Sequence, residues 1–463
     1  MAEAQAKFLT GSLFRHVSVM SLTASVGLMA VFFVDLVDMI FISMLGQAEL
    51  AAAVGYAGAI LFFTTSFGIG IAIAVGALVA RALGAGDTEK ARESATNGIT
   101  LGIVLGALFA AAFWSYLPQL VQLMGAEGET ADLAEGYLRI IVPSLPLLVI
   151  GMIGGGILRA FGDARRAMMV TIYAGLVNAV LDPILIFGFG LDLTGAALAS
   201  VAARVAMAVT ALSAIARHHD ALRRPTVAGS ARFAVPLLAI GVPAILTQLA
   251  TPVGQAVVTR SMAQFGQEAV AGMAIVARLM PVSFGVIFAL SGAVGPILGQ
   301  NFGAGAHDRV RAGFHAALWF CGGVIVAVAL VLFLLRGFIA DLFGATGVAR
   351  DLVFLFCGPL ALLFFFNGVL FVANAAFNNL GHPFYSTIMN WGRNTLAMIP
   401  MVWLGATVFG APGVLIGQAV SALLFGCIAW WLAHRLIAQG GRDDEKPEFA
   451  RDGRILALFN HRR

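Results

Sequence analysis

The stretch "GALVARALGAGDTEKARESATNGITLG", residues 76–102, returns later in the same chain as "GPILGQNFGAGAHDRVRAGFHAALWFCG", residues 295–322. Gly76, Gly84, Gly86 and Arg92 fall on Gly295, Gly303, Gly305 and Arg311. Working outward, "LGQAELAA" from Leu45 resembles "FGQEAVAG" from Phe265, and "RAFGDARR" from Arg159 sits against "NNLGHPFY" from Asn378. The offset stays at about 219 residues, so the chain reads as two copies of one design.

The repeated unit is made for lipid. Of 463 residues 60% are hydrophobic and 11% charged, and the mean hydropathy is +0.92; a soluble domain carries about a quarter charged residues. Apolar runs long enough to cross a hydrocarbon core of about 30 Å are predicted at 15–45, 52–80, 94–117, 136–158, 167–189 and 195–217, then at 235–262, 269–299, 312–335, 351–378, 384–408 and 413–437. They are long runs rich in Leu, Ala, Phe and Met, not the short alternation of a membrane β-barrel. An even number of spans per repeat gives both halves the same orientation, related by a pseudo-two-fold along the membrane normal. The expected fold is an all-α integral membrane protein of twelve helices in two six-helix bundles with a cavity between them. The expected organisation is a tail 1–14, an N-lobe 15–217, a linker 218–234, a C-lobe 235–437 and a tail 438–463.

Orientation follows from the basic residues, which cytoplasmic loops retain. With both ends inside, one set of loops holds Arg81, Lys90, Arg92, Arg159, Arg165, Arg166, Arg217, Arg223, Arg224, Arg232, Arg309 and Arg311, whereas the opposite loops are poor in Lys and Arg. Both termini are therefore expected in the cytoplasm, and the first span reads as an uncleaved signal anchor. The net charge of +4 is a topology signal and implies no nucleic-acid partner. Cys321, Cys357 and Cys427 lie in predicted spans without CxxC spacing, so neither a disulfide framework nor a thiolate metal site is expected. His218 and His219 lack a third ligand at useful spacing and read as a solvated loop. "GMIGGGILRAFGD" follows no strand and is no dinucleotide fingerprint, and the chain contains no P-loop, HExxH or GxSxG, so it is not expected to be an enzyme.

The informative residues are charges inside the spans. In "VFFVDLVDMIFI", Val31–Ile42, two aspartates stand one helical turn apart in apolar sequence, where each is costly and functional by default. Asp35, Asp38 and Asp182 have Gln255, Val258 and Met401 at the matching places of the second half, so the acids are confined to one lobe. Counted from the outer helix ends at 1.5 Å per residue, Asp38, Asp182 and Arg204 lie about 12 Å deep, in one plane. Asn178 and Asp182 share a helix face at i, i+4, as do Ser200 and Arg204, and Pro183 frees the carbonyl of Ala179. Burial and a like-charged neighbour favour the protonated form of a carboxyl, which makes a proton carrier. The oxygens of Asp38, Asp182 and Asn178 equally suit a Na⁺ ion. The competing structural reading is an ion pair of Asp38 or Asp182 with Arg204. Arg278 and Arg393 are the charges inside the second lobe, and either substrate contact or a packing role fits them.

Together, "LVDMIFISMLGQAELAA", "ARALGAGDTEKAR", "RAFGDARR" and "NAVLDPILIFGFGLDLTGAALAS" resemble the multidrug and toxic compound extrusion (MATE) family over residues 15–437, most closely its DinF-like branch. That resemblance implies a V-shaped pair of bundles exporting organic cations in exchange for H⁺ or Na⁺. It places Asp38, Asp182, Asn178, Asp35 and Ser200 at the coupling site and Tyr137, Arg204, Gln255, Arg278, Arg393 and Asn367 along the substrate cavity. Gln255 stands where some relatives carry a glutamate and Asn367 and Asn374 bring no acid, which argues against a Na⁺ site in the second lobe. The first span also lacks the proline that some relatives bend.

The expectation is a secondary active multidrug antiporter of the bacterial inner membrane, acting as a monomer by alternating access. It needs no cofactor beyond its coupling ion, and its partners are small organic cations and membrane lipid. The alternatives are a flippase or exporter of a lipid-linked or anionic substrate, towards which Arg278 and Arg393 would point, and an intramembrane aspartyl protease, whose GxGD motif is missing.

Overall fold

The computed structural model describes residues 6–440, and the tail from 441 onward, with its "ILALF" stretch, lies outside them. The described chain is helical between short turns, as a lipid-embedded chain must be unless its strands close into a barrel, because every backbone amide has to find its partner internally. The N-lobe helices are α1 (Leu13–Met44), α2 (Ala48–Gly84), α3 (Thr88–Ser115), α4 (Gly128–Ala160), α5 (Ala164–Gly188) and α6 (Asp192–His219). The C-lobe helices are α7 (Val227–Ala263), α8 (Gln267–Gly303), α9 (His307–Leu342), α10 (347–379), α11 (383–409) and α12 (Ala411–Ala438). Ten are unbroken and apolar enough to span a membrane; α10 bends by 43° between its two pieces, and α11 consists of two helical pieces joined by a π-turn. These two broken helices make up the expected twelve.

The turns repeat as the sequence does. Gly86 and Gly305, like Gly162 and Gly381, sit at positive φ between 69° and 89° in matching turns, a conformation that glycine adopts without a steric penalty. Asp87 and Asp163 accept hydrogen bonds from the amides of Lys90 and Arg166 and so cap α3 and α5. Thr226 caps α7 the same way, through Gly229. The helix therefore begins inside the expected linker, leaving 220–226 as the connection between halves.

Two hydrophobic cores follow the two halves, with an exchange at one end. Phe8, Leu13, Val17 and Met20, at the start of the chain and in α1, are buried in the C-lobe core, while Leu237 and Ile240 of α7 belong to the N-lobe core. Phe8 is only 1% exposed, so the segment expected as a free tail is built into the lobe junction. Its amide donates to Gln300 Oε1 (2.9 Å), and Gln300 Nε2 donates to the Ala160 carbonyl (2.7 Å). Arg309 and Asn301 donate to the Phe8 carbonyl, and Lys7 donates to the Gly162 carbonyl.

The tightest crossing lies at the same end. A Cβ on Gly84 would run into the carbonyl of Gln300, and one on Gly303 into that of Arg81. The guanidinium of Arg81 donates to the carbonyls of Asn379 (2.8 Å) and Asn378 (3.3 Å) across the junction. Further along, Gly27 of α1 packs on α5 and Gly285 of α8 packs on Met29 of α1. Past these contacts the lobes line a cavity.

Candidate functional site

The cavity has a volume of about 980 Å³ and is lined by both lobes. Asp35, Asp38, Asn178, Ser200 and Arg204 face it from the N-lobe, and Gln255, Asn367 and Arg393 from the C-lobe. The charge inside it is unevenly distributed: its two lining acids are both on α1, and its arginines are Arg159, Arg204 and Arg393.

Asp182, behind the N-lobe wall, is 1% exposed, and Asn178, in the wall, 6%. The Asp38 and Asp182 carboxyls are close enough to share a proton in a hydrogen bond. Asp38 Oδ1, both oxygens of Asp182 and Asn178 Nδ2 have no hydrogen-bond partner in the protein. Leaving such groups unsatisfied costs about 1–3 kcal/mol each, more when charged, so the chemistry of the cluster suits a bound proton or cation. A proton shared between the carboxyls satisfies it, and so would a hard cation taking the same oxygens. Pro183 follows directly, and the next turn, Ile184–Gly188, widens to a π-turn, a local irregularity common at functional sites.

Arg204 does not pair with these acids. Its Nη1 donates to the Ile141 carbonyl (3.1 Å) and to Ser144 Oγ (3.0 Å), which lie around the 3₁₀ turn Val142–Ser144 within α4. The ion-pair reading of the acid cluster is therefore set aside. Tyr137 is another correction: it does not line the cavity but sits behind it with its hydroxyl within hydrogen-bond reach of Ser200. Arg278 is a third. Val276 and Met280 line the cavity from α8, and a residue midway between them points to the helix's opposite face; Arg278 is exposed there.

The C-lobe wall is a network of amides. Arg393 lies in the π-turn Gly392–Ala397, donates to the side-chain oxygens of Asn367 and Asn394, and keeps a buried Nε without a partner. Asn390 Nδ2 donates to Asn374 Oδ1 (3.1 Å), and Ser386 Oγ donates to Asn378 Oδ1 (3.2 Å). With their oxygens so engaged, Asn374 and Asn378 offer their NH₂ groups to the cavity they line. Sequence reasoning also missed Arg159, which it placed in a cytoplasmic loop; it lies in the last turn of α4 and lines the cavity. The signal was the 219-residue offset, which sets Arg159 on Asn378.

Among the described residues no cluster of three or more His, Cys, Asp or Glu is placed to hold a metal. His219 Nε2 donates to Asp163 Oδ2 at 2.9 Å, and its ring stacks on Phe161.

A two-lobed helical bundle with a cavity between its lobes and buried acids beside that cavity is the architecture of a membrane transporter. The MatE family profile matches residues 24–184 and again 243–404, one match on each repeat, and the chain belongs to that family, the multidrug and toxic compound extrusion transporters, and is not an enzyme. It is 29% identical over 426 residues to the FAD transporter of Shewanella oneidensis, covering 90% of this chain and 93% of that one. It is 24% identical over 440 residues to the multidrug export protein MepA of Staphylococcus aureus, covering 93% and 96%. A crystal structure of a mutant of the Vibrio cholerae MATE transporter VcmN superposes with a TM-score of 0.87 at 25% identity, over 93% of this chain and 98% of that one.

Proposed function

We propose that the protein exports small organic compounds across the bacterial inner membrane, with both termini in the cytoplasm, in exchange for a cation taken up by Asp38, Asp182 and Asn178. The observation that carries this reading is the set of buried, partnerless oxygens beside the cavity. Asp38 reaches both the cavity and Asp182, so loading the cluster with H⁺ or Na⁺ changes the charge that a bound substrate feels. In the charged state the N-lobe wall attracts an organic cation, and loading from outside cancels that attraction and releases it. Differential affinity between the two states is what couples the fluxes. Asp35, Ser200, Gln255 and Asn367 contact substrate within the cavity in this reading, Tyr137 holds the wall from behind, and Arg204, which lines it, is tied to Ile141 and Ser144.

The test is ethidium movement in proteoliposomes under an imposed pH gradient and then an imposed Na⁺ gradient, with wild type and Asp38→Asn. Transport driven by either gradient and lost in the variant supports the reading and names the ion. Gradient-driven transport that survives in an Asp38→Asn, Asp182→Asn double variant removes the cluster from the mechanism.

A second reading, an anionic substrate, is favoured by the cavity arginines and by the similarity to a FAD transporter.

A further inference from the structure

The floor of the cavity differs chemically from the wall that carries the coupling cluster. Arg159 lies one residue from the inner end of α4, and by residue count along α4 and α5 its level is about 25 Å from Asp182. Its guanidinium faces glycines on two helices: a Cβ on Gly155 would come within 3.3 Å of Nη1, and one on Gly292 within 3.7 Å of Nε. No carboxylate lines the cavity at this level: the cavity's lining acids are Asp35 and Asp38, high on α1, and the nearby Asp163 is engaged by Arg166 and His219. Among the described residues the Arg159 side chain makes no hydrogen bond or ion pair. The repeat sets Asn378 opposite it, with Oδ1 engaged by Ser386 and Nδ2 left for the cavity. Asn374, one turn along the same helix, is held in the same sense by Asn390.

From this geometry we infer that the floor is an anion subsite, in which Arg159 with the amides of Asn374 and Asn378 receives a carboxylate or phosphate group carried by the transported molecule. A guanidinium presents several donors in a planar fork matched to such oxyanions. The subsite supplies fixed donors and no acceptor charge, so its attraction does not change when the coupling cluster is loaded. The inference rests on the cavity being the transport site, and it adds organic molecules with an anionic group at one end to the substrates the cavity prefers.

The experiment is equilibrium binding to the detergent-purified full chain, followed by ligand fluorescence, for FMN, riboflavin and ethidium. FMN and riboflavin share one ring system and differ by a phosphate. Wild type is expected to bind FMN roughly tenfold more tightly than riboflavin, the scale of one charge-assisted contact. Arg159→Gln should erase that preference while leaving riboflavin and ethidium unchanged, and Arg159→Lys should keep part of it. Equal affinity of wild type for FMN and riboflavin overturns the subsite, as does a preference that persists in Arg159→Gln. Loss of all three ligands in Arg159→Gln, with an unchanged melting temperature, shows a packing role and also overturns it. Should Arg159→Gln fail to fold, Asn378→Asp decides, since a carboxylate placed against the phosphate must abolish the preference. Because binding needs no gradient, a failure of ion coupling in proteoliposomes leaves this outcome separately readable.

Discussion

Gly84→Ala should open the inner end of the transporter. The added methyl would enter the carbonyl of Gln300 across the α2–α8 crossing, and backbone lies on both sides, so no flexible side chain can yield. The helices must separate, at a cost of about 1–3 kcal/mol for overpacking alone. Separation also stretches the bonds of Arg81 to Asn378 and Asn379 and of the Phe8 amide to Gln300. A total of about 3 kcal/mol corresponds to roughly a hundredfold shift away from the inner-closed state. The assay uses Ser291→Cys, which lines the cavity beside Gly292, in a background lacking Cys321, Cys357 and Cys427. With the inner end closed, an impermeant maleimide should label this cysteine from the outer side. Adding Gly84→Ala should move labelling to the cytoplasmic side, and Gly303→Ala, its repeat mate, should do the same. If both variants label from the outer side as the parent does while folding normally, the crossing is not the inner gate.

Gln300→Ala removes the residue that joins Phe8 to Ala160 and leaves a buried amide and a buried carbonyl unpaired, about 1–3 kcal/mol each; the same cysteine should report a shift in the same direction. Lowering pH loads the Asp38 and Asp182 carboxyls with protons, so ethidium should bind more weakly while FMN affinity does not fall; equal weakening of both ligands would contradict the division of charge between the walls. At the turn between α4 and α5, burial alone would raise the Asp163 carboxyl. The hydrogen bonds from His219 and Arg166 outweigh it and hold this carboxyl well below the usual carboxylate range. A depressed native value gives stability that is present above the unfolded value of about 3.9 and is lost as pH falls towards the native one. Asp163→Asn should therefore melt below wild type at pH 7, and the gap should narrow below about pH 4.

The parts legible in the sequence were those governed by lipid and by repetition. Twelve crossings, two related halves and a cavity between them follow from apolar length and the 219-residue offset, and the acids in "VDLVDM" and "VLDP" announced themselves by their cost. What stayed hidden depended on which way a side chain points. Arg278 looked like a cavity charge because only its depth was known, and the register of α8 turns it outward. Arg159 looked like a retained loop arginine because the helix end was placed just before it. Phe8, in an unremarkable polar stretch, is buried only because the opposite lobe supplies its pocket, and no local pattern encodes a partner 292 residues away.

The two halves match where they hold the molecule together and differ where they do chemistry. Gly84 and Gly303 make the same crossing, and the inner ends of α1 and α7 each pack into the other lobe's core. In the middle of the membrane the match stops: Asp38 and Asp182 have Val258 and Met401 at the matching places of the second half, so the acids belong to one lobe. Arg159 is matched by Asn378 and both line the cavity, so both sides of the floor offer donors and neither brings a carboxylate. A cavity with one wall of variable charge and one of fixed donors changes its grip on one end of a substrate while keeping its hold on the other. Exchange then acts through the end that faces the acids, and selectivity among anionic molecules is set at the floor, which is why substitutions at Asp38 and at Arg159 should separate coupling from recognition.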